Sequence, residues 1–119
     1  MRPSTEPGHP RRGEVWLADF NPGRGSEQKG VRPALVVQND VGNQYAATTI
    51  VAAITTTIKP YPVTVVIRAR TCGLPHDSMV NMAQVLTIDK ARLIKKLGVL
   101  LPEQLDAADR ALRVSLDLT

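Results

Sequence analysis

A glycine-rich loop between two apolar segments carries the side chains best suited to chemistry. Residues 15–18 and 34–37 are apolar runs typical of β-strands. The connection of about eleven residues is long for a hairpin, where about 2–5 is usual, and long loops are often functional. Its glycines permit positive φ, so that backbone amides can converge on an anion. The loop's polar side chains are Ser26, Glu27, Gln28 and Lys29, followed by Gly30 and Arg32.

Arg32 is the strongest candidate for binding phosphate. Pro33 favours an extended conformation for the residue before it, so Arg32 should stand at the mouth of the second strand. A guanidinium offers two parallel donors to phosphate oxygens. Because arginine stays protonated, it suits charge stabilisation or donation to a leaving oxygen better than general-base work.

Thr55 is a second donor. It ends residues 48–55, a β-branched segment that is apolar on both faces and predicts a central strand. A threonine hydroxyl at a strand end has few rotamers and is well placed to donate. Taken singly, Thr55 is also consistent with an ordinary strand residue, and Arg32 with a surface ion pair.

The remaining inventory does not favour a metal site or a protein nucleophile. Cys72 lies near His76 and Asp77, but not at a metal-binding spacing, and it has no neighbouring base. A Ser–His–Asp arrangement would form only in space, and nothing in the sequence supports one. We expect no metal and no cofactor. RNA brings its own nucleophile, the 2′-hydroxyl, so positioning and charge stabilisation alone can cleave it.

The bulk composition fits one small domain with an anionic partner. The chain has 119 residues, one cysteine, a net charge of +4 and no apolar run long enough to span a membrane. It also has no hydrophobic signal region, and we expect a cytoplasmic protein. Residues 41–101 contain seven basic and two acidic residues. This basic centre suits an anionic partner, although it also fits an ordinary solvated surface.

The order of elements predicts a mainly β domain with a C-terminal helix. Residues 1–11 are rich in proline and predict a flexible arm before a single domain at 12–119. After the first two strands we expect a turn at 41–44, strands at 48–55, 63–67, 79–82, 85–88 and 96–100, and a helical turn at 91–93. A helix should begin at Pro102, with Leu101, Leu105, Ala108, Leu112 and Leu116 on its apolar face. Together they indicate a small, twisted antiparallel barrel.

The chain resembles the MazF/PemK (Kid) family of toxin endoribonucleases from type II toxin–antitoxin systems. The resemblance lies in Arg-Gly-Glu-Val at 12–15, Gly-Ser-Glu-Gln at 25–28, Arg-Pro-Ala-Leu-Val-Val at 32–37 and Gln-Asn-Asp at 38–40. It continues in Val-Ala-Ala-Ile-Thr at 51–55, Asp-Ser-Met-Val at 77–80 and Gln-Val-Leu-Thr-Ile-Asp at 84–89. It implies an SH3-like barrel of the CcdB/PemK type that works as a homodimer.

By this resemblance, Arg32 and Thr55 match catalytic positions, with Glu27 as a further candidate that could accept the 2′ proton or hold Lys29 or Arg32. The RNA-contacting residues would be Ser26, Gln28, Lys29, Gly30 and Gln84. Ala83 departs from the family, in which many members have an acid before the glutamine. Residues 56–70 also match poorly, and loops there are expected to help set the cleavage sequence.

The implied function is a toxin that cuts single-stranded RNA (mRNA, with rRNA or tRNA as further targets) at specific sequences without metal. The products would be a 2′,3′-cyclic phosphate and a 5′-hydroxyl. The implied partner is a MazE-like antitoxin with an acidic C-terminal segment, together with which the toxin would bind DNA. A CcdB-type gyrase poison is the alternative. An SH3-like interaction module is weaker, because its proline-rich ligands usually need an aromatic groove.

Overall fold

The computed structural model describes residues 9–21 and 30–118. Within these ranges, the chain forms β1 (Glu14–Asp19), β2 (Val31–Val36), α1 (Asp40–Tyr45), β3 (Thr48–Thr55), β4 (Thr64–Ile67) and β5 (Ser78–Asp89). A 3₁₀ turn at Lys90–Arg92 leads into β6 (Leu93–Val99), and α2 (Pro102–Ser115) follows.

The strands form one antiparallel sheet in the order β4-β5-β3-β2-β1-β6. The sheet curls into a half-barrel, and α2 packs against the part formed by β4 and β5. The prediction of a mainly β fold with a C-terminal helix is confirmed. The apolar β-branched segment at 48–55 is a central strand as expected, because it has neighbours on both edges.

Strand β5 differs from the prediction of two short strands. It is a single strand in which Ala52 of β3 pairs with Val85, whereas the next residue, Ala53, pairs with Asn81. Residues 82–84 therefore form a bulge. A bulge interrupts the alternation of side chains without ending the strand. In the sequence, this interruption resembles a connection between two separate strands.

The segment at 41–44 was predicted as a turn but forms most of α1. Asn39 caps this helix by accepting a hydrogen bond from a backbone amide at 2.8 Å. The side chain of Asn43 is fully buried, and its Oδ1 accepts from Thr49 Oγ1 at 2.7 Å and from Gln38 Nε2 at 3.0 Å. These polar contacts fix a helix too short and too polar to show an apolar period.

Two apolar clusters occupy opposite faces of the sheet. The first includes Leu35 and packs against α2. Because side chains alternate along a strand, Ala34 and Val36 point to the second cluster, which also contains Phe20. Trp16 packs against this second cluster as a partly buried residue. Phe20 is thus a core residue and Trp16 a partly buried packing residue.

Helix α2 begins at the predicted proline, but only its central part is buried as expected. Leu105, Ala108 and Leu112 pack against the first cluster. Leu101 and Leu116, at the two ends of the predicted apolar face, are 45% and 55% exposed. They are the N-cap and C-cap residues of α2 and therefore flank the helix itself.

Only the end of the predicted N-terminal arm lies within the described residues. Pro10 is buried, and the carbonyl of Arg11 accepts a hydrogen bond from Glu14 N at 3.1 Å. Pro10 therefore packs against the domain. No helix in the described parts of the chain is long and apolar enough to cross a membrane.

Candidate active site

Arg32 and Thr55 come together on adjacent strands. In the pairing of β2 with β3, Ala34 lies opposite Ala53, and the register is antiparallel. Arg32 and Thr55 each lie two residues beyond this pair, where the paired segment of the two strands ends. Residues two apart on a strand project from the same face of a sheet. The two candidate donors therefore share one face and one end of the two strands.

The two side chains differ in exposure. Arg32 is exposed, whereas Thr55 is half-buried at the end of β3. The Oγ1 of Thr55 accepts a hydrogen bond from Thr57 N at 3.1 Å. Because a hydroxyl both accepts and donates, this contact orients the oxygen and leaves its proton as the donor. The pair can supply an exposed cation and an oriented hydroxyl to one substrate oxygen or to neighbouring ones.

The loop base, formed by Phe20, Asn21 and Gly30, is closed by two hydrogen bonds. Phe20 N donates to Gly30 O, and Gly30 N donates to Asn21 Oδ1, each at 2.9 Å. Gly30 has φ +79°, as expected for a glycine that reverses the chain, and a Cβ there would meet nothing within 4 Å. The loop base fixes the backbone two residues before Arg32.

Only some of the other predicted site residues lie within the described part of the chain. Ser26, Glu27, Gln28 and Lys29 lie outside the described residues, and their roles stay predictions. Gln84 is half-buried in the bulge of β5. Its contact with RNA also stays a prediction.

Asn81 was missed by the sequence reasoning. It pairs with Ala53, so it lies on the face of Thr55, one alternate position further along the neighbouring strands. Its Oδ1 accepts a hydrogen bond from Ala83 N at 2.9 Å. The signal available in the sequence was a polar residue within an apolar strand, which is weak because half-exposed strands commonly contain one.

Arg92 was counted in the sequence only as one of many basic residues. Its Nη1 donates to the carbonyl of Asp19 at 3.1 Å and also to the carbonyl of Asn21. It therefore contacts the backbone at the loop base. No sequence pattern could identify these acceptors, because they are main-chain oxygens in a distant part of the chain.

The described residues contain no group of three or more His, Cys, Asp or Glu side chains that could hold a metal ion. What the site does offer is a guanidinium, an oriented hydroxyl and a backbone turn at the mouth of two strands. Such donors complement an anion whose charge grows during a reaction. The arrangement can bind and polarise a phosphate.

Comparisons with known proteins identify the family of this chain. Residues 11–116 match the model of the PemK-like, MazF-like toxins of type II toxin–antitoxin systems. The chain is 48% identical over 110 residues to Endoribonuclease EndoA of Bacillus subtilis, covering 91% of this chain and 95% of that protein.

Solved structures show the same fold. A mycobacterial endoribonuclease in complex with its cognate antitoxin is 27% identical, with a TM-score of 0.79 over 92% of this chain and 97% of that one. MazF from Deinococcus radiodurans is 26% identical, with a TM-score of 0.77 over 91% and 96% of the two chains. The gyrase-poison alternative is not favoured by these likenesses. With nearly the whole length matched by the family model, this chain belongs to the PemK-like, MazF-like toxin family of type II toxin–antitoxin systems.

Proposed function

We propose that this chain is a toxin endoribonuclease that cleaves single-stranded RNA at specific sequences without a metal ion. The observation that supports the proposal most directly is that Arg32 and Thr55 lie on one face of the sheet, each two residues beyond the pair Ala34–Ala53 at the ends of β2 and β3. Its support from relatives is the 48% identity to a protein named an endoribonuclease. Both functional groups stand on strands, which hold them more rigidly than loops would.

The chemistry uses the substrate's own 2′-hydroxyl as nucleophile. Its oxygen bonds to the adjacent phosphorus while the bond from phosphorus to the 5′-oxygen breaks. The products are a 2′,3′-cyclic phosphate and a 5′-hydroxyl. Arg32 stabilises the charge on the non-bridging oxygens or donates to the leaving 5′-oxygen, and Thr55 supplies a second donor. Glu27 is the candidate that accepts the 2′ proton.

The choice of single-stranded RNA follows from access to the bases. In an A-form duplex the major groove is too narrow for side chains, whereas an unpaired strand presents its base edges. Ser26, Gln28, Lys29 and Gly30 would contact the strand beside Arg32, and Gln84 would reach it from β5. Residues 56–70, which follow Thr55 directly, would help to set the cleavage sequence.

The proposed partners are a second copy of the chain and an antitoxin with an acidic C-terminal segment. Val114, Leu116 and Leu118 are each more than half exposed at the end of α2 and offer an apolar face to a second copy. The antitoxin's acidic segment would lie along the phosphate track beside Arg32. A structural relative was solved with its cognate antitoxin, which supports this arrangement.

The test is cleavage of defined RNA oligonucleotides by purified protein in excess chelator, with analysis of the product ends. We expect site-specific cutting and a 5′-hydroxyl that a kinase can label without prior phosphatase treatment. An Arg32→Ala preparation purified in parallel controls for contaminating nucleases. A requirement for a divalent metal, or a 5′-phosphate on the products, would contradict the proposal.

A further inference from the structure

The 3₁₀ turn at Lys90–Arg92 is bonded to the backbone on both sides. Lys90 Nζ donates to the carbonyl of Asn43 at 2.6 Å and to that of Ala46 at 2.8 Å, so it holds the end of α1. Arg92 reaches the other way and donates to carbonyls at the end of β1. Its side chain is half-buried. The turn therefore connects α1 to the loop base.

A bulge in β6 directs Arg92 to this position. Leu17 of β1 pairs with Lys95, whereas the next residue, Ala18, pairs with Leu93, so Ile94 has no partner on β1. The extra residue bends the strand. Continuing the register from Leu93 by one residue brings Arg92 opposite Asp19, whose carbonyl it contacts.

The contacts of Arg92 lead towards Arg32 by two routes. Asn21, whose carbonyl accepts from Arg92, uses its own side chain to hold Gly30 N. Asp19, the other acceptor, pairs directly with Val31, the residue before Arg32. A shift of the end of β1 would therefore move both the hydrogen bond and the strand pairing that fix the backbone of Arg32.

We propose that Arg92 is a positioning residue for the cleavage reaction: it holds the end of β1 and thereby sets the place from which Arg32 meets the scissile phosphate. This inference rests on the proposed role of Arg32. A charged donor to backbone carbonyls forms stronger hydrogen bonds than a neutral one. Both hydrogen bonds come from one guanidinium nitrogen, Nη1, which carries two N–H groups.

Single-turnover kinetics on an RNA with one cleavage site test the role. We expect Arg92→Ala to lower kcat about 10- to 100-fold, since small displacements of a positioned group cost rates of this order, with KM changing much less. Arg92→Lys should recover part of the loss. Arg113→Ala is the matched control, because it removes the same charge from an exposed site on α2 and should leave kcat unchanged.

Two further variants separate positioning from other roles. Asn21→Ala should lower kcat as well. In the double variant with Arg92→Ala, the fold-loss of kcat should be smaller than the product of the two single fold-losses, because both residues hold the same loop base. In an Arg32→Ala background, Arg92→Ala should change the residual rate very little. A full, independent loss in that background would overturn the proposal.

Amide hydrogen exchange gives a readout that does not depend on catalysis. We expect the Gly30 amide to exchange at least about tenfold faster in Arg92→Ala, while the buried amide of Leu35 keeps its rate, as in local opening. Unchanged exchange at Gly30, or a kcat for Arg92→Ala equal to that of the Arg113→Ala control, would overturn the proposal. Full activity of Arg32→Ala would instead overturn the proposed function, and the exchange experiment would still decide whether Arg92 holds the loop base.

Discussion

Arg32 and Thr55 lie on one face of the sheet, at neighbouring ends of β2 and β3, on the side opposite α2. Their relationship follows from the pairing of Ala34 with Ala53, since each candidate residue lies two positions beyond its alanine. Both small side chains are buried in the sheet. The two donors are thus fixed to a rigid pair of strands at the point where both emerge into solvent.

Removing either donor should abolish most cleavage while leaving the fold intact. Arg32→Ala and Thr55→Ala should each lower kcat about 10²–10³-fold, because each removes one preorganised donor to a developing negative charge. In the double variant, the fold-loss of kcat should be smaller than the product of the two single fold-losses, since both residues act on one phosphate. Single-turnover assays with circular dichroism check this.

Thr87→Ala is the matched control for the threonine. Thr87 is exposed on β5, and alternation places it on the other face of the sheet from Thr55. The Thr87→Ala variant should therefore cleave RNA at the normal rate. Near-normal turnover of Arg32→Ala or Thr55→Ala, with an unchanged dichroism spectrum, would show that the assignment of the site is wrong.

Two glycines with the same backbone conformation should respond differently to alanine. Gly30 has φ +79° with open space around a built Cβ, so Gly30→Ala should cost only the left-handed strain, about 1–2 kcal/mol. Gly73 has φ +77°, but a Cβ would lie 1.9 Å from the carbonyl oxygen of Leu97. Gly73→Ala should exceed about 4 kcal/mol. Urea unfolding measures both, and equal losses would contradict this account.

The buried Asn43 should matter for stability and not for catalysis. Asn43→Ala leaves the Thr49 hydroxyl and the Gln38 amide without their shared acceptor, at an expected cost of about 1–3 kcal/mol in the free energy of unfolding. Well below its melting temperature the variant should cleave RNA at the normal rate. A large loss of kcat in a fully folded sample would contradict the separation of this network from the site.

Binding of an acidic antitoxin segment should compete with RNA and weaken as salt rises. Lys29 and Arg32 add positive charge to the basic central region, and an acidic peptide would occupy the same track. Competition assays with an acidic peptide of the antitoxin, repeated from low to high ionic strength, check this. A neutralising segment that leaves RNA binding intact, or whose association is insensitive to salt, would contradict it.

Much of the architecture could be predicted from local patterns. Some signals act within a few residues, so the sequence shows them directly. They are the β-branched segment at 48–55, the proline at which α2 begins, and Gly30, two residues before Arg32. Interruptions of these patterns were harder to interpret from the sequence. The bulge of β5 looked like the end of a strand, and α1 depends on buried polar contacts of Asn43 that no periodicity shows.

The sequence by itself predicted the family, the mainly β fold with its C-terminal helix and the two candidate donors, because these depend on residue types and their spacing. Only the tertiary structure decided that Arg32 and Thr55 share a face, since strand register depends on which residues pair. It alone also showed that Arg92 bonds to the loop base. The acceptors of Arg92 are backbone carbonyls, a chemical group that every residue carries, so their role arises only from where the folded chain brings them.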